Sequence, residues 1–205
     1  IVYLATGSDI EKAREQVDKR ILTMCQGVFA CSGNEFWERG KKIYSNEFYP
    51  RPKLVTFLEA CVKDSNYHTK TGNHLEYRNG MLNFSVVGRN ATLEQRAAYA
   101  EWDERKRERR TVAITLLARE EEFGDIDVSI GGEISIDIYP KGKDKSQAVK
   151  KIRQLHDLPI VFMGDKIEPN GNDYPAAKAL IAGDTACQVE NWKMTELLIR
   201  QELED

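Results

Sequence analysis

An apolar run, Val161-Phe162-Met163, that ends in Gly164-Asp165 and is followed by Gly171-Asn172-Asp173 suits a hard cation. A strand tip would fix the Asp165 carboxylate, the glycines let the backbone close around it, and Asn172 and Asp173 bring further oxygens to its side. A strand-ending turn gives the same Gly-Asp, so the pattern gains weight only from its neighbours. Lys145, at the start of an expected helix, offers a point positive charge to a phosphoryl group. Ser8, just ahead of another helix, offers a hydroxyl and backbone N–H groups to the same oxygens. Together these are three parts of a phosphoryl-transfer site, where catalysis is mostly positioning and charge neutralisation. Each has a plainer reading alone: a cap for Ser8, an exposed charge for Lys145. No apolar strand ends in Asp-x-Asp, and no Ser or Cys sits in a nucleophile elbow, so these residues supply no nucleophile.

A second group is cationic. Arg78 precedes an Asn79-Gly80 turn, Arg89 follows the partnering strand, and Arg96 falls in the first turn of a capped helix. A hairpin leading into a helix start brings such guanidiniums together beside helix N–H groups, which makes an anion site. Three unrelated surface arginines are the competing reading. Ser135 and Asp137, two apart on a strand, share a face and match the hydroxyls of a sugar.

The elements that would carry these residues fall into two grammars. Strand–helix alternation covers 1–17 (strand 1–5, helix 10–17) and returns after Pro140, with a helix over 145–155, a strand over 160–164, a helix over 175–181, a strand near 185–189 and a helix over 192–203. Between them lie a helix over 53–63, hairpins at 74–87 and 126–139, a capping box at Thr92–Gln95 opening a helix to about 106, and a further helix over 111–121. The simplest architecture is a parallel α/β core made of both ends, with an α+β layer inserted. Ligands of such sheets sit beyond the carboxyl ends of the strands, where Ser8 and Asp165 both lie and are expected to meet. The opening run 1–5 has no element before it and reads as a beginning cut from something longer.

Bulk properties narrow the class. The chain has 205 residues, 41% hydrophobic and 31% charged, with a formal net charge of −3. That composition suits a globular protein with a real core. It argues against nucleic acid, because no basic run is interleaved with aromatics; the dense run 105–110 is broken by Glu108 and reads as a solvated helix face. No apolar stretch nears the ~20 residues of a membrane span, and no signal peptide is visible, so a cytoplasmic location is the default. The four cysteines form no Cys-x-x-Cys pair and the three histidines lie at no zinc spacing from them.

The run Glu76-Tyr77-Arg78-Asn79-Gly80-Met81-Leu82-Asn83-Phe84-Ser85 through Gly88-Arg89, with Gly131-Gly132-Glu133-Ile134-Ser135-Ile136-Asp137 and Gly164-Asp165-Lys166, resembles the eukaryotic-type phosphomannomutases. These form the large-cap branch of the haloacid dehalogenase superfamily, and the similarity spans nearly the whole chain. The resemblance implies a parallel Rossmann-like core (1–38 and 141–205) with an inserted α+β cap (39–140). It implies that Arg78, Arg89 and Arg96 hold the non-reacting phosphate, that Ser135 and Asp137 bind the sugar ring, and that Ser8 and Lys145 contact the transferring phosphoryl group. Asp165, with Asn172 and Asp173 near it, would bind Mg2+. The family's Asp-x-Asp on its first strand would lie upstream of Ile1, so that a strand and a helix are missing from the N-terminus. The implied reaction interconverts mannose 6-phosphate and mannose 1-phosphate through an aspartyl-phosphate and a hexose bisphosphate, with hexose 1,6-bisphosphate as activator. A homodimer through the cap is also implied, for which Leu54, Phe57 and Leu58 would serve unless they are core. Two departures stand out: Lys143 replaces the aromatic residue common before the Asp-Lys pair, and 174–179 lacks the acidic and hydroxyl residues of a second cation site. A sugar-phosphate phosphatase of the same superfamily is the alternative, and a non-catalytic sugar-phosphate binder the rival outside enzymes.

Overall fold

Apolar strands joined by capped helices form the first unit. The computed structural model describes residues 1–169 and 171–204. Strand β1 (Tyr3–Ala5) lies parallel to β2 (Gly27–Ala30), and the crossover between them is α1 (Ile10–Gln16) and α2 (Lys19–Met24). Asp9, rather than Ser8, caps α1, its Oδ1 accepting from Lys12 N at 2.7 Å; Asp18 does the same for α2. Strands β3 (Glu35–Glu38) and β4 (Lys41–Ser45) follow as an antiparallel hairpin, giving the order β1-β2-β3-β4. Cross-strand partners Phe29 and Phe36 stack with centroids 4.4 Å apart and both are buried. Because β4 pairs with β3, residues 41–45 go with this sheet, and the boundary expected at residue 39 falls inside the hairpin.

The second unit starts with α3 (Pro52–Asp64), then β5 (Leu75–Arg78) and β6 (Met81–Phe84). Helices α4 (Leu93–Lys106), α5 (Glu108–Ala118) and α6 (Glu120–Phe123) lead to β7 (Ile126–Gly131) and β8 (Ser135–Pro140). The sheet is antiparallel in the order β5-β6-β8-β7. Side chains alternate across it. Leu82, Phe84, Ile136 and Ile138 point to the helices and pack with Leu54, Leu58, Tyr99 and Leu116 in one core. Leu54 and Leu58 are fully buried there, so they are core residues of this lobe and not available to a dimer contact. The opposite face carries a polar row in register, Glu76–Asn83–Asp137–Ser129.

The chain closes with α7 (Ser146–Leu155), β9 (Val161–Gly164), α8 (Tyr174–Lys178), β10 (Thr185–Gln188) and α9 (Trp192–Glu204). Strands β9 and β10 are parallel, as strand–helix alternation requires, but they form a separate pair and do not hydrogen-bond to β1. The architecture is mixed α/β with parallel pairs contributed by both ends of the chain and an antiparallel sheet-and-helix lobe between them. Three further differences from expectation concern helices. Residues 19–24 form α2 where none was foreseen, α8 stops at Lys178, and the helix expected over 111–121 starts at Glu108 and breaks at Arg119.

Ile138 is fully buried between Leu82 and Val128 on the two neighbouring strands. Ile138→Ala removes buried apolar volume from the lobe core and should cost about 2–5 kcal/mol. Denaturant unfolding measures this, and a loss well below about 1 kcal/mol would contradict the packing described.

Candidate active site

A cavity of about 950 Å3 runs along the facing sides of β1 and β9, where its lining is largely apolar, and reaches past their tips to the polar face of the β5-β6-β8-β7 sheet. From the first and last segments it is lined by Ser8, Lys145, Asp165, Asn172 and Asp173, and from the inserted lobe by Arg78, Arg89, Ser135 and Asp137. Ser8 and Asp165, expected to meet, both line this cavity, at the ends of strands that belong to separate sheets. Arg96 alone among the expected site residues is not on its wall.

The lower half is organised by one ion pair. Lys145 opens α7 with only 5% of its surface exposed, and its ammonium bonds Oδ1 of Asp173. Oδ2 of Asp173 accepts from the backbone N–H of Asp165 at 3.1 Å and of Lys166 at 3.3 Å. Burial pushes the Asp173 carboxyl up, but Lys145 and these amides outweigh it and hold the group below its ordinary range. Asp173 thus braces the turn that presents Asp165, while Asp165 itself is exposed to the cavity. The amide Oδ1 of Asn172 is buried without a hydrogen-bond partner among the described residues. An orphaned oxygen beside a cavity-facing carboxylate fits a hard cation. Among the described residues no three His, Cys, Asp or Glu side chains converge as a ligand cluster. The fit is to an ion that keeps waters or substrate oxygens in its shell, as Mg2+ does.

The upper half is the cationic one. Arg78 and Arg89 share one oxygen: Oε2 of Glu76 accepts from Nη2 of Arg78 and lies 3.1 Å from Nε of Arg89. Arg89 Nη1 also donates to Ser135 Oγ at 3.1 Å. Arg96 spends its donors on backbone, with Nε to the carbonyl of Ala91 at 3.1 Å and Nη2 to that of Arg89 at 3.2 Å. It holds the loop that presents Arg89 and adds charge behind it. The three arginines are brought together, but only two face the cavity.

Asp137 is 4% exposed and takes 2.6 Å donation from Asn83 Nδ2 on Oδ1. Its Oδ2 lies over Gly131 and Gly7; a Cβ on Gly131 would come within 2.6 Å of it. Polar bonds join the two halves around it: Arg78 Nη1 to Gly7 O at 3.1 Å, Lys166 Nζ to Gly132 O at 3.1 Å, and Asn79 Nδ2 to the buried Glu35. Glu76 and Asn83 carried no assignment from sequence. The Asn79-Gly80 turn was the available signal, since a two-residue loop pairs Arg78 with Met81 and hence Glu76 with Asn83 on the face of Asp137.

Burial raises the Asp137 carboxyl, opposed by the Asn83 hydrogen bond and by Arg78, Lys145 and Arg89. A carboxyl raised in the folded state loses stability as pH climbs through the window above its unfolded value of 3.8. Asp137→Asn keeps the shape and removes that titration. The variant should match the native protein below about pH 4 and exceed it in stability at neutral pH, by denaturant midpoint. Equal stability at both pH values would show that the buried charge is fully compensated.

Comparison with known proteins agrees with this geometry. A sequence model described as eukaryotic phosphomannomutase matches residues 1–183. The phosphomannomutase of Schizosaccharomyces pombe is 33% identical over 177 residues, covering 82% of this chain and 68% of that protein. That of Drosophila melanogaster is 34% identical over 183 residues, covering 84% and 71%. Among solved structures, a haloacid dehalogenase-like hydrolase from Bacteroides thetaiotaomicron covers 98% of this chain and 85% of its own at TM-score 0.56 and 11% identity. A sucrose-phosphatase from Synechocystis, solved with sucrose and phosphate, covers 99% of this chain and 75% of its own at TM-score 0.52 and 16% identity. At such identities the structures speak for the haloacid dehalogenase fold alone. Cap arginines, a carboxylate at the β9 tip and a match over most of the chain converge: this chain belongs to the eukaryotic phosphomannomutase family.

Proposed function

We propose that this chain carries the substrate site of a phosphomannomutase that interconverts mannose 6-phosphate and mannose 1-phosphate. The observation that carries the reading is a single cavity with guanidiniums on its upper wall and a braced carboxylate–ammonium cluster on its lower wall. A hexose phosphate has two ends to satisfy. Arg78 and Arg89, with Arg96 behind them, hold the phosphate that does not react, and Ser135 and Asp137 accept and donate to ring hydroxyls. Ser8 and Lys145 meet the phosphoryl group in transfer. In each half-reaction one phosphoryl group passes between an aspartate and a sugar oxygen, and the hexose bisphosphate turns end for end between them. Hexose 1,6-bisphosphate is the matching activator. A mutase must therefore grip either phosphate in turn, which a cationic upper wall does and a simple phosphatase does not need.

Asp165 and Asn172 would hold Mg2+, with Asp173 fixing their turn; the ion supplies charge neutralisation at the transferring oxygens. None of the three carboxylates on the cavity wall is assigned as phosphoryl acceptor. Asp173 is committed to Lys145, Asp137 lies in the upper wall, and Asp165 faces the cation site. No helix among the described residues is long and apolar enough to cross a membrane. A cytoplasmic homodimer joined through the inserted lobe, with no nucleic-acid or membrane partner, completes the proposal.

Incubating the protein with mannose 1-phosphate, Mg2+ and a catalytic amount of hexose 1,6-bisphosphate and resolving the products tests the activity. Mannose 6-phosphate is the expected product. Free phosphate without isomerisation would make the protein a phosphatase, and binding without either product a sugar-phosphate binder. The cation site has its own readout. Mg2+ should raise the thermal midpoint of the native protein and leave that of Asp165→Asn unmoved; an equal rise in both would remove Asp165 from the site.

A further inference from the structure

The residue that the reading of the upper wall leaves unexplained is Glu76. It stands on β5 two residues before Arg78, on the same face, and its carboxylate sits between the two cavity-facing guanidiniums. One oxygen serves both: Oε2 accepts from Nη2 of Arg78 and forms an ion pair with Arg89, 3.1 Å from its Nε, and the side chain remains 35% exposed. A single anionic oxygen bridging two guanidiniums is how a phosphate oxygen would be held there. The guanidinium groups that Glu76 engages are the ones a phosphate in the cavity would need.

We infer that Glu76 is a resident counter-ion that competes with the substrate's phosphate for Arg78 and Arg89 and so sets how tightly the upper wall grips it. The inference rests on the assignment of that wall to phosphate. Two physical reasons favour competition over simple support. First, burial already disfavours the charged form of Arg89, and the charges of Arg78 and Arg96 add to that strain; Glu76 relieves it most, with Asp137 a smaller help. Without substrate, the cluster needs an anion, and Glu76 provides one. Second, the charges run close to balance: Glu76 offsets one of the three positive charges of Arg78, Arg89 and Arg96, Asp137 offsets part of the rest, and a phosphate monoester brings about −1.5 to −2 at neutral pH. Three uncompensated guanidiniums would overbind a group that has to leave the wall each time the bisphosphate turns over. An exposed carboxylate that can swing back into place lowers the barrier to that release.

Calorimetric titration with inorganic phosphate at neutral pH tests this. Glu76→Gln keeps the side chain's shape and removes its charge, and should bind phosphate about tenfold more tightly than the native protein. Glu76→Asp keeps the charge but falls a methylene short of bridging both arginines. It should tighten binding by a smaller factor, and it carries the test if the Gln variant does not fold. Arg89→Ala should weaken phosphate by about tenfold or more. Weakening in Arg89→Ala without tightening in either Glu76 variant would overturn the competition while leaving the phosphate site standing. Unchanged binding in Arg89→Ala would overturn the site itself. Uncharged mannose is the control: if Glu76→Gln tightened it equally, charge would not be the cause and the inference would fall.

Discussion

The register of the β5–β6 hairpin is the constraint on which the upper wall rests. Asn79-Gly80 closes it in two residues, with Gly80 at φ 69°, a conformation that costs glycine little. That turn pairs Glu76 with Asn83, and β8 extends the row to Asp137. A slip by one residue exchanges the two faces of a strand. Asn83 would then enter the core that holds Leu82 and Phe84, and Leu82 would face the cavity. The apolar packing of Leu82, Ile136 and Ile138 under the helices therefore selects the same register that places the polar row. Stability and site geometry are fixed by one choice.

Charges in a half-dry cleft persist only when they have partners. Lys145 has Asp173, and Arg78 and Arg89 have Glu76. Asp137 is different: its direct donor on the protein is the neutral Asn83, with the positive groups only nearby. A buried carboxyl in that condition lowers stability at neutral pH, so packing gives no reason for it to be there. A role toward ligand hydroxyls does give one, since a carboxylate with an unshared oxygen is a strong acceptor. The same logic separates Asp173 from Asp165. Both oxygens of Asp173 are committed to the fold, whereas Asp165 presents its carboxylate to the cavity.

Local chemistry made much of this readable. The Thr92–Gln95 capping box forms with both reciprocal bonds, and α4 ends at Lys106 as its pattern implied. What escaped the sequence depends on distant partners. The charged run at 105–110 read as one solvated face, yet Arg107 turns left-handed at φ 56° and Arg109 folds back onto the buried Asp103, at 2.7 Å from Oδ2. The break at that point was expected; the Arg109–Asp103 ion pair across it, between residues six apart, was not. Glu76 escaped for a related reason: its spacing from Arg78 is visible, but its bond to Arg89 requires the hairpin to be closed. Arg96 illustrates the reverse case. Its place in the first turn of α4 was legible, but its commitment to the carbonyls of Ala91 and Arg89 was not, because that follows from the path of the loop before the helix.

The seam between the lobes combines an apolar contact, Cys31 against Met81 and Tyr139, with polar bonds around it. Arg78 to Gly7, Lys166 to Gly132 and Asn79 to Glu35 bridge it. Each hydrogen bond of this kind contributes about 0.5–1.5 kcal/mol net, because water replaces it when it breaks. Separating the lobes would break these three bonds together and also expose the Cys31–Met81–Tyr139 contact to water, which resists opening. Arg78 is the telling member of the set. Its guanidinium bonds both the loop that carries Ser8 and the carboxylate shared with Arg89, so an anion that drew on Arg78 would also act on a contact that joins the lobes.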